Sequence, residues 1–369
     1  MIAPQKRLAL FVPSLVGGGA ERMALTLVQG MTERGYSMDL VLAQGEGSLI
    51  TEVPDSVRVV DLKGSRVLTS LPNLVMYLRS EKCEAMLSLM SHANIVALWA
   101  RKISGASNRV VVTEVNTLSS SVRNSPNVQA RLMPYLTRTF YPWADDIIAN
   151  SKGVGDDLAQ VTGIPRKRIK VIYQPVVTSQ LQAQLQAPIE HPWFKTGELP
   201  VLLGAGRLTA QKDFPLLIRA FAEVRKTRPS RLVILGEGED RSTLESLVTR
   251  LGIERDVDMP GFVKNPCSYI ARASVFILTS RWEGLPTVLV AALYCGTPIV
   301  STDCPSGPRE ILKNGQYGYL VPVGEMTALV QAIESTLDGK TLHPPWQSWR
   351  AFEFEYAVNR YLNTLIGSE

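Results

Sequence analysis

The sequence predicts an α/β protein built of two Rossmann-like, doubly wound domains. Three observations carry this. Short apolar strands alternate with helical patterns through the first half, which implies βαβ units and a parallel sheet. The alternation stops in a Gln- and Pro-rich stretch at 175–200 and then restarts. The turns that hold chemically useful residues all follow strands, where open α/β sheets place their ligand sites.

In the first half the predicted strands are Leu8–Val12, Met38–Leu42, Arg58–Asp61, Ala85–Ser88, Arg109–Thr113 and Asp146–Ala149, closed by Lys170–Ile172. In the second they are Val201–Gly204, Arg231–Leu235, Val257–Met259, Val275–Leu278 and Ile299–Ser301. Helices are expected at Phe214–Lys226, Ser242–Leu251 and after Pro286, and a last helical pattern spans Trp346–Leu365. The expected domains are 1–174 and 201–345, with 175–200 as linker. At 369 residues the chain is long enough for both.

Composition narrows the function classes. Hydrophobic residues make up 45% and charged residues 20%, the balance of a soluble globular protein. No apolar run approaches the ~18 residues of a spanning helix. Lys6, Arg7 and the following LALFVPSLV resemble a signal peptide, but an amphipathic pattern (Met23, Leu27, Met31) continues at once, which favours a first strand. Cys83, Cys267, Cys295 and Cys304 form no C-x-x-C pair, and His92, His191 and His343 lie far apart. No metal site or disulfide is therefore expected, and a reducing cytosol is the default. The net charge of +5 permits an anionic partner without choosing one. The basic residues are dispersed, and nucleic acid is not expected as a partner. One stretch, Arg123–Trp143, mixes Arg123, Arg131 and Arg138 with Leu132, Met133, Tyr135, Leu136, Phe140 and Tyr141. It reads equally as an interfacial membrane helix and as a core helix with a solvated basic side.

Four segments could do chemistry. Gly17, Gly18 and Gly19 follow the first strand and open a helix. Glycines let a backbone approach a phosphate, and the helix end favours the anion. Arg22 stands where a dinucleotide fingerprint needs a glycine, and the loop can also be a plain tight turn. Arg207 and Lys212 lie in GRLTAQKD, between a strand and a helix. Two fixed cations there would stabilise the charge that develops on a leaving diphosphate. Glu283 stands at the mouth of the turn TSRWEGLP, before the helix that follows Pro286. His92 follows the strand Ala85–Ser88 and could be a polar contact or a helix-cap residue. Asp256 and Asp258 have the form of a metal-binding pair but read as strand-entry acids.

GRLTAQKD and TSRWEGLPTVLVAALYCGTPIV resemble the G-R-L-x-x-x-K and E-x7-E segments of family-4 retaining glycosyltransferases, which have the GT-B fold of two Rossmann-like domains facing a cleft. The resemblance covers most of the chain and is specific at 204–213 and 279–311, and weaker at 60–145. It implies a donor site in which Arg207 and Lys212 meet the diphosphate. Glu283, with Gly284 beside it, would meet a hydroxyl of the sugar, and the backbone N–H groups near Thr287 and Val288 the phosphates. Gly261–Phe262–Val263 would hold the base through main-chain contacts at Val263. Gly17–Gly19 would face the donor phosphates, and His92, or Asn116 at the second such place, would stand where relatives carry a His facing the sugar. The final helix would pack back on the N-terminal domain.

The chain departs from the pattern at one position. Seven residues, Gly284–Val290, follow Glu283, and then Ala291 stands where the family has the Glu that holds the ribose.

The expectation is a metal- and cofactor-independent retaining hexosyltransferase. It would move a hexose from a UDP- or GDP-linked donor to a glycan or lipid-linked glycan in bacterial surface polysaccharide assembly. It would be peripheral on the cytoplasmic face of the membrane, against anionic lipid. No protein nucleophile is evident. Ala291 leaves a second reading open, a chain natural or altered at that position that binds nucleotide sugar and acceptor without transferring. A sugar-nucleotide epimerase is a third, although it needs acids and bases flanking the sugar.

Overall fold

The computed structural model describes residues 6–124, 128–342 and 344–368. Contacts divide the chain into two compact units, residues 1–175 with Phe352–Glu369, and Val176–Ala351.

The first unit holds seven parallel strands: β1 (Arg7–Val12), β2 (Ser37–Leu42), β3 (Arg58–Asp61), β4 (Ala85–Leu89), β5 (Arg109–Glu114), β6 (Asp146–Ala149) and β7 (Ile169–Val171). They lie in the order β3-β2-β1-β4-β5-β6-β7. Sequence order therefore reverses direction between β1 and β4. Successive side chains of a strand point to opposite faces. Leu8, Leu10 and Val12 enter one core cluster, while Ala9 and Phe11 enter the other, so both faces of the sheet are covered. That is why these strands read as continuous apolar runs.

The last helix, Phe354–Ile366, covers one of those faces. Val358, Tyr361, Leu362 and Leu365 join the cluster of Leu8 and Leu10, and the Tyr361 hydroxyl donates to the Ile172 carbonyl at 3.0 Å. Gly30 makes the close approach possible, since a Cβ there would meet Val358 at 2.8 Å and Phe354 at 2.9 Å. This helix begins at Phe354, later than the expected Trp346. The residues just before it form a 3-10 turn, Arg350–Phe352, instead of an α-helix. Trp349 packs edge-on against Tyr294 in the second unit, and Phe352 against Tyr173 in the first.

The second unit holds six parallel strands: β8 (Val201–Ala205), β9 (Arg231–Leu235), β10 (Val257–Gly261), β11 (Val275–Leu278), β12 (Ile299–Thr302) and β13 (Tyr319–Val321). Their order is β10-β9-β8-β11-β12-β13, so the reversal falls between β8 and β11. Leu202, Leu232, Ile234, Val275, Ile277 and Val300 form its core with the helix Phe214–Thr227. β13 was not expected from the sequence. The 175–200 stretch carries a helix, Ser179–Gln186, capped by Thr178, whose Oγ1 accepts from the Leu181 N–H at 3.1 Å. His191 follows, with Nε2 2.8 Å from Asp258 Oδ2 and Nδ1 accepting from the Trp193 N–H at 3.2 Å.

Candidate functional site

In open α/β sheets ligands bind beyond the carboxyl ends of the strands, where the strand order reverses. In the second unit β8 and β11 flank that point. Arg207 and Lys212 lie in the loop after β8, and Glu283 in the loop after β11.

The two loops are stitched together. Lys212 Nζ donates to Glu283 Oε1 at 2.5 Å, with the side chains 16% and 7% exposed. The buried Ser280 Oγ donates to the same oxygen at 2.6 Å. Glu283 Oε2 takes part in neither bond, which leaves it able to accept from a ligand hydroxyl. Thr279 Oγ1 donates to the Lys212 carbonyl at 2.8 Å, and Gln211 Nε2 to the Trp282 carbonyl at 2.9 Å. Arg281 Nε donates to Asp213 Oδ2 at 2.8 Å. Arg207 differs from these residues: it is exposed, and among the described residues it has no ion-pair or hydrogen-bond partner. An unpaired cation in the same loop as the Lys of a compensated Lys–Glu pair suits an anion that arrives with a ligand.

The helix Thr287–Cys295 starts at this mouth. Pro286 is its N-cap and offers no side-chain acceptor, so the first N–H groups, at Thr287 and Val288, lack a cap. Gly284 is buried, and its carbonyl accepts from Ser306 Oγ at 2.8 Å. Ala291 is 6% exposed on the same helix. Val263 is half-buried in the loop after β10.

In the first unit the reversal point lies between β1 and β4. Gly17–Gly19 follow β1, and His92 follows β4. Gly17 has φ 117°, which L side chains resist. Gly19 opens the helix Gly19–Glu33, and nothing lies within 4 Å of the place a Cβ would take there. The fold therefore does not itself require Gly19. His92 stands exposed in the first turn of the helix Ser91–Ser104, and the protein packed around its ring lowers its pKa by hindering hydration of the charged form.

Every predicted site residue except Ala291, which lies mid-helix, thus falls in a loop or helix start beyond the carboxyl end of a strand in its own unit, and Lys212 and Glu283 are in direct contact. Sequence reasoning missed Glu114. It is a buried carboxyl that accepts from Ser91 Oγ at 2.8 Å and from the Tyr141 hydroxyl. A charged residue ending an apolar strand was the available signal. All four cysteines are free, and burial raises each thiol pKa, to about 11 at Cys83 and Cys267 and about 12 at Cys295. None is a ready thiolate at neutral pH. Among the described residues no group of three His, Cys, Asp or Glu could hold a metal, and no helix is long and apolar enough to cross a membrane.

Two parallel-sheet α/β units, each with its candidate residues at the strand-order reversal, define a class of two-domain ligand-binding α/β proteins. Comparison with known proteins takes the assignment further. The family described as glycosyl transferases group 1 matches residues 188–347, and Glycosyltransferase Family 4 matches residues 17–180. A Campylobacter jejuni protein, N-acetylgalactosamine-N,N'-diacetylbacillosaminyl-diphospho-undecaprenol 4-alpha-N-acetylgalactosaminyltransferase, is 30% identical over 354 residues, 93% of each chain. The Rhizobium meliloti lipopolysaccharide core biosynthesis glycosyltransferase LpsE is 26% identical over 88% of this chain and 87% of its own. Among solved structures, Anabaena HepE in complex with UDP-glucose superposes with a TM-score of 0.78 at 21% identity, over 97% of this chain and 100% of that one. The chain belongs to the family-4, group 1 glycosyltransferases of GT-B type, and it is a glycosyltransferase.

Proposed function

We propose that this chain is a retaining, metal-independent hexosyltransferase that uses a nucleotide sugar, UDP-linked before GDP-linked, and a lipid-linked or oligosaccharide acceptor. The observation that carries the reading is the Lys212–Glu283 pair at 2.5 Å with the unpaired Arg207 beyond the neighbouring strand end. In this reading Arg207, Lys212 and the start of the helix Thr287–Cys295 hold the diphosphate. Glu283 Oε2 accepts from a sugar hydroxyl, and Val263 lies at the base.

The bond from the anomeric carbon to the diphosphate oxygen breaks, and the electron pair leaves with the diphosphate. The acceptor hydroxyl oxygen bonds to the anomeric carbon on the same face, and its proton passes to the leaving phosphate. Preorganised cations stabilise the separated charge more than the ground state. Gly17–Gly19 suit an anion at the end of β1, and His92 offers a polar contact at the end of β4.

The names of relatives support the partners. One acts on an undecaprenyl-diphosphate glycan and another belongs to lipopolysaccharide core biosynthesis. HepE was solved with UDP-glucose. The acceptor class and the exposed Arg131, Leu132, Tyr135 and Arg138 support work at the cytoplasmic surface of an anionic membrane. Ala291 favours one alternative, a nucleotide-sugar binder that does not transfer.

Thermal shifts with UDP-, GDP-, ADP- and dTDP-sugars, each followed by transfer to polyprenyl-diphosphate-linked glycans, test the reading. A ligand bound to the native state alone stabilises by about 2.7 kcal/mol at 100-fold excess over Kd. Stabilisation by a sugar nucleotide with transfer supports hexosyl transfer. Stabilisation without transfer to any acceptor favours the binder, and no stabilisation by any nucleotide overturns both.

A further inference from the structure

Glu114 ends β5 and lies 2% exposed against the first turn of the helix Ser91–Ser104. Ser91 Oγ donates to its Oε2 at 2.8 Å, and the Tyr141 hydroxyl donates to its Oε1. Asn94 Nδ2 reaches that hydroxyl at 2.8 Å and the Thr113 carbonyl at 2.9 Å. The Met90 N–H donates to the same carbonyl at 3.2 Å. Met90, the residue that turns β4 into the helix, has φ 78° and ψ 135°. A side chain resists that conformation, and it persists only where the surroundings over-determine it. The bonds from β5, Asn94 and Glu114 do this here.

A buried carboxyl is a costly way to brace a turn, since an apolar side chain or an amide avoids the loss of hydration. The turn it braces presents His92 at the carboxyl edge of the first unit's sheet, next to the reversal point. We infer that Glu114, with Tyr141 and Asn94, is a positioning residue of the reaction: through Ser91 it fixes the direction in which His92 leaves the first turn. This rests on the reading that His92 meets the transferred sugar.

The brace is also sensitive to protonation. Burial pushes Glu114 up to about 7, with Asp157 adding to the rise, while the hydrogen bonds from Tyr141, Ser91 and Asn94 oppose it. Three titratable groups surround this turn. Tyr141, on the turn after the helix Val128–Phe140, stays neutral because burial raises its pKa well above the ordinary phenol value. Asp157, on the helix Lys152–Thr162, already accepts from the N–H groups of Leu118 and Ser119 at 2.6 and 3.1 Å. The protein packed around the His92 ring lowers its pKa by hindering hydration of the charged form. As a carboxylate, Glu114 accepts from Ser91 and Tyr141 together. As an acid it turns one oxygen into a donor, and the hold on Ser91 weakens.

The test uses the full chain labelled at its three histidines. Imidazole resonances are followed by NMR from pH 5 to 9 in wild type, Glu114→Gln and Tyr141→Phe, with His92→Gln to assign the signal. Transfer is measured in the same proteins with UDP- and GDP-hexoses and a polyprenyl-diphosphate-linked glycan. The expected result is that both variants move the His92 shift and titration midpoint and leave the other two histidines unchanged. Glu114→Gln should also lower kcat at least tenfold with the donor KM within twofold, and flatten the rate profile near pH 7. Should Glu114→Gln fail to fold, Tyr141→Phe, which keeps the ring, carries the same comparison.

Unchanged His92 resonances in the variants overturn the inference. A moved His92 with an unchanged rate overturns it too, and an unchanged rate in His92→Gln then places the fault in the role given to His92. The resonance measurement needs no substrate, so it separates this inference from the proposed reaction.

Discussion

Lys212 Nζ and Glu283 Oε1 meet at 2.5 Å although 71 positions separate them in the chain. β8 and β11 are neighbours in the sheet, so the loops that follow them emerge side by side. The pair sits with its side chains 16% and 7% exposed, where an uncompensated charge is expensive. In the proposed reading Lys212 therefore has two tasks, holding Glu283 and meeting a diphosphate, whereas Arg207, without a partner among the described residues, serves the ligand alone.

That difference separates the two cations experimentally. Arg207→Ala should lower kcat/KM by roughly 10²–10³, on the order of 2–4 kcal/mol of transition-state stabilisation, and leave the melting temperature unchanged. Lys212→Ala should lower kcat/KM similarly and also destabilise the protein by about 3 kcal/mol, because Glu283 stays buried without its partner. Kinetics and urea unfolding of both variants check this. Near-normal kcat/KM in both, with the fold intact, removes them from the donor site.

Ala291, where the resemblance leads one to expect a second Glu, lies 6% exposed in the helix Thr287–Cys295. A Glu there would accept ribose hydroxyls through charge-assisted bonds worth about 1.5–3 kcal/mol each. Ala291→Glu should tighten nucleotide binding and raise transfer by at least about tenfold. Without nucleotide the added carboxylate is poorly hydrated, so the free variant should melt lower than wild type. Calorimetry and a product assay on both forms decide it. Unchanged affinity and rate would mean that another group holds the ribose.

Glu114 makes stability depend on pH. Its pKa is about 7 in the folded protein, against an ordinary carboxyl value of about 4 once unfolded. Between these values the native state binds more protons, so this group's contribution to stability falls as pH rises from about 4 to 7 and is flat above. Glu114→Gln removes the slope. Relative to wild type it should gain on the order of 3 kcal/mol between pH 4 and pH 8. Urea unfolding at the two pH values measures it, and an equal difference at both shows that Glu114 does not titrate in this window.

The legibility of the chain followed its periodicity. Asp146–Ala149, Arg231–Leu235 and Val275–Leu278 match the sequence reading residue for residue, because buried parallel strands are apolar runs between turn signals; Arg58–Asp61, an exposed edge strand, matches it too. Tyr319–Val321 was missed: it is three residues long and follows a glycine-rich turn, NGQYG, with no long apolar run to mark it. Arg207, Lys212 and Glu283 were visible because each sits in a strand-to-helix turn of recognisable spacing. Glu114 was not, since its role depends on Ser91 and Tyr141, which only the fold brings to it. The Arg123–Trp143 stretch was ambiguous for a physical reason. Met133, Leu136 and Phe140 pack on the core while Leu132 and Tyr135, 53% and 71% exposed, face out, and composition alone cannot divide them. Its residues 125–127 lie outside the described residues.

The outward face of that helix should bind anionic vesicles. Arg131 and Arg138 flank Leu132 and Tyr135, and a basic residue near such a surface contributes roughly 1 kcal/mol at low salt. Flotation with phosphatidylglycerol vesicles should recover the protein at low salt and lose it at high salt, and Arg131→Glu with Arg138→Glu should abolish recovery. Equal partitioning with neutral and anionic vesicles rejects the membrane surface as a partner.

The central claim is that protein cations, without a metal, drive transfer of a sugar from a nucleotide with retention. NMR of the glycoside formed in EDTA, from UDP- and GDP-hexoses and a polyprenyl-diphosphate-linked acceptor, tests it most directly. The account predicts a product with the anomeric configuration of the donor, formed at the same rate with and without EDTA and lost in Arg207→Ala. An inverted product, or activity abolished by EDTA and restored by Mn²⁺ or Mg²⁺, would contradict it.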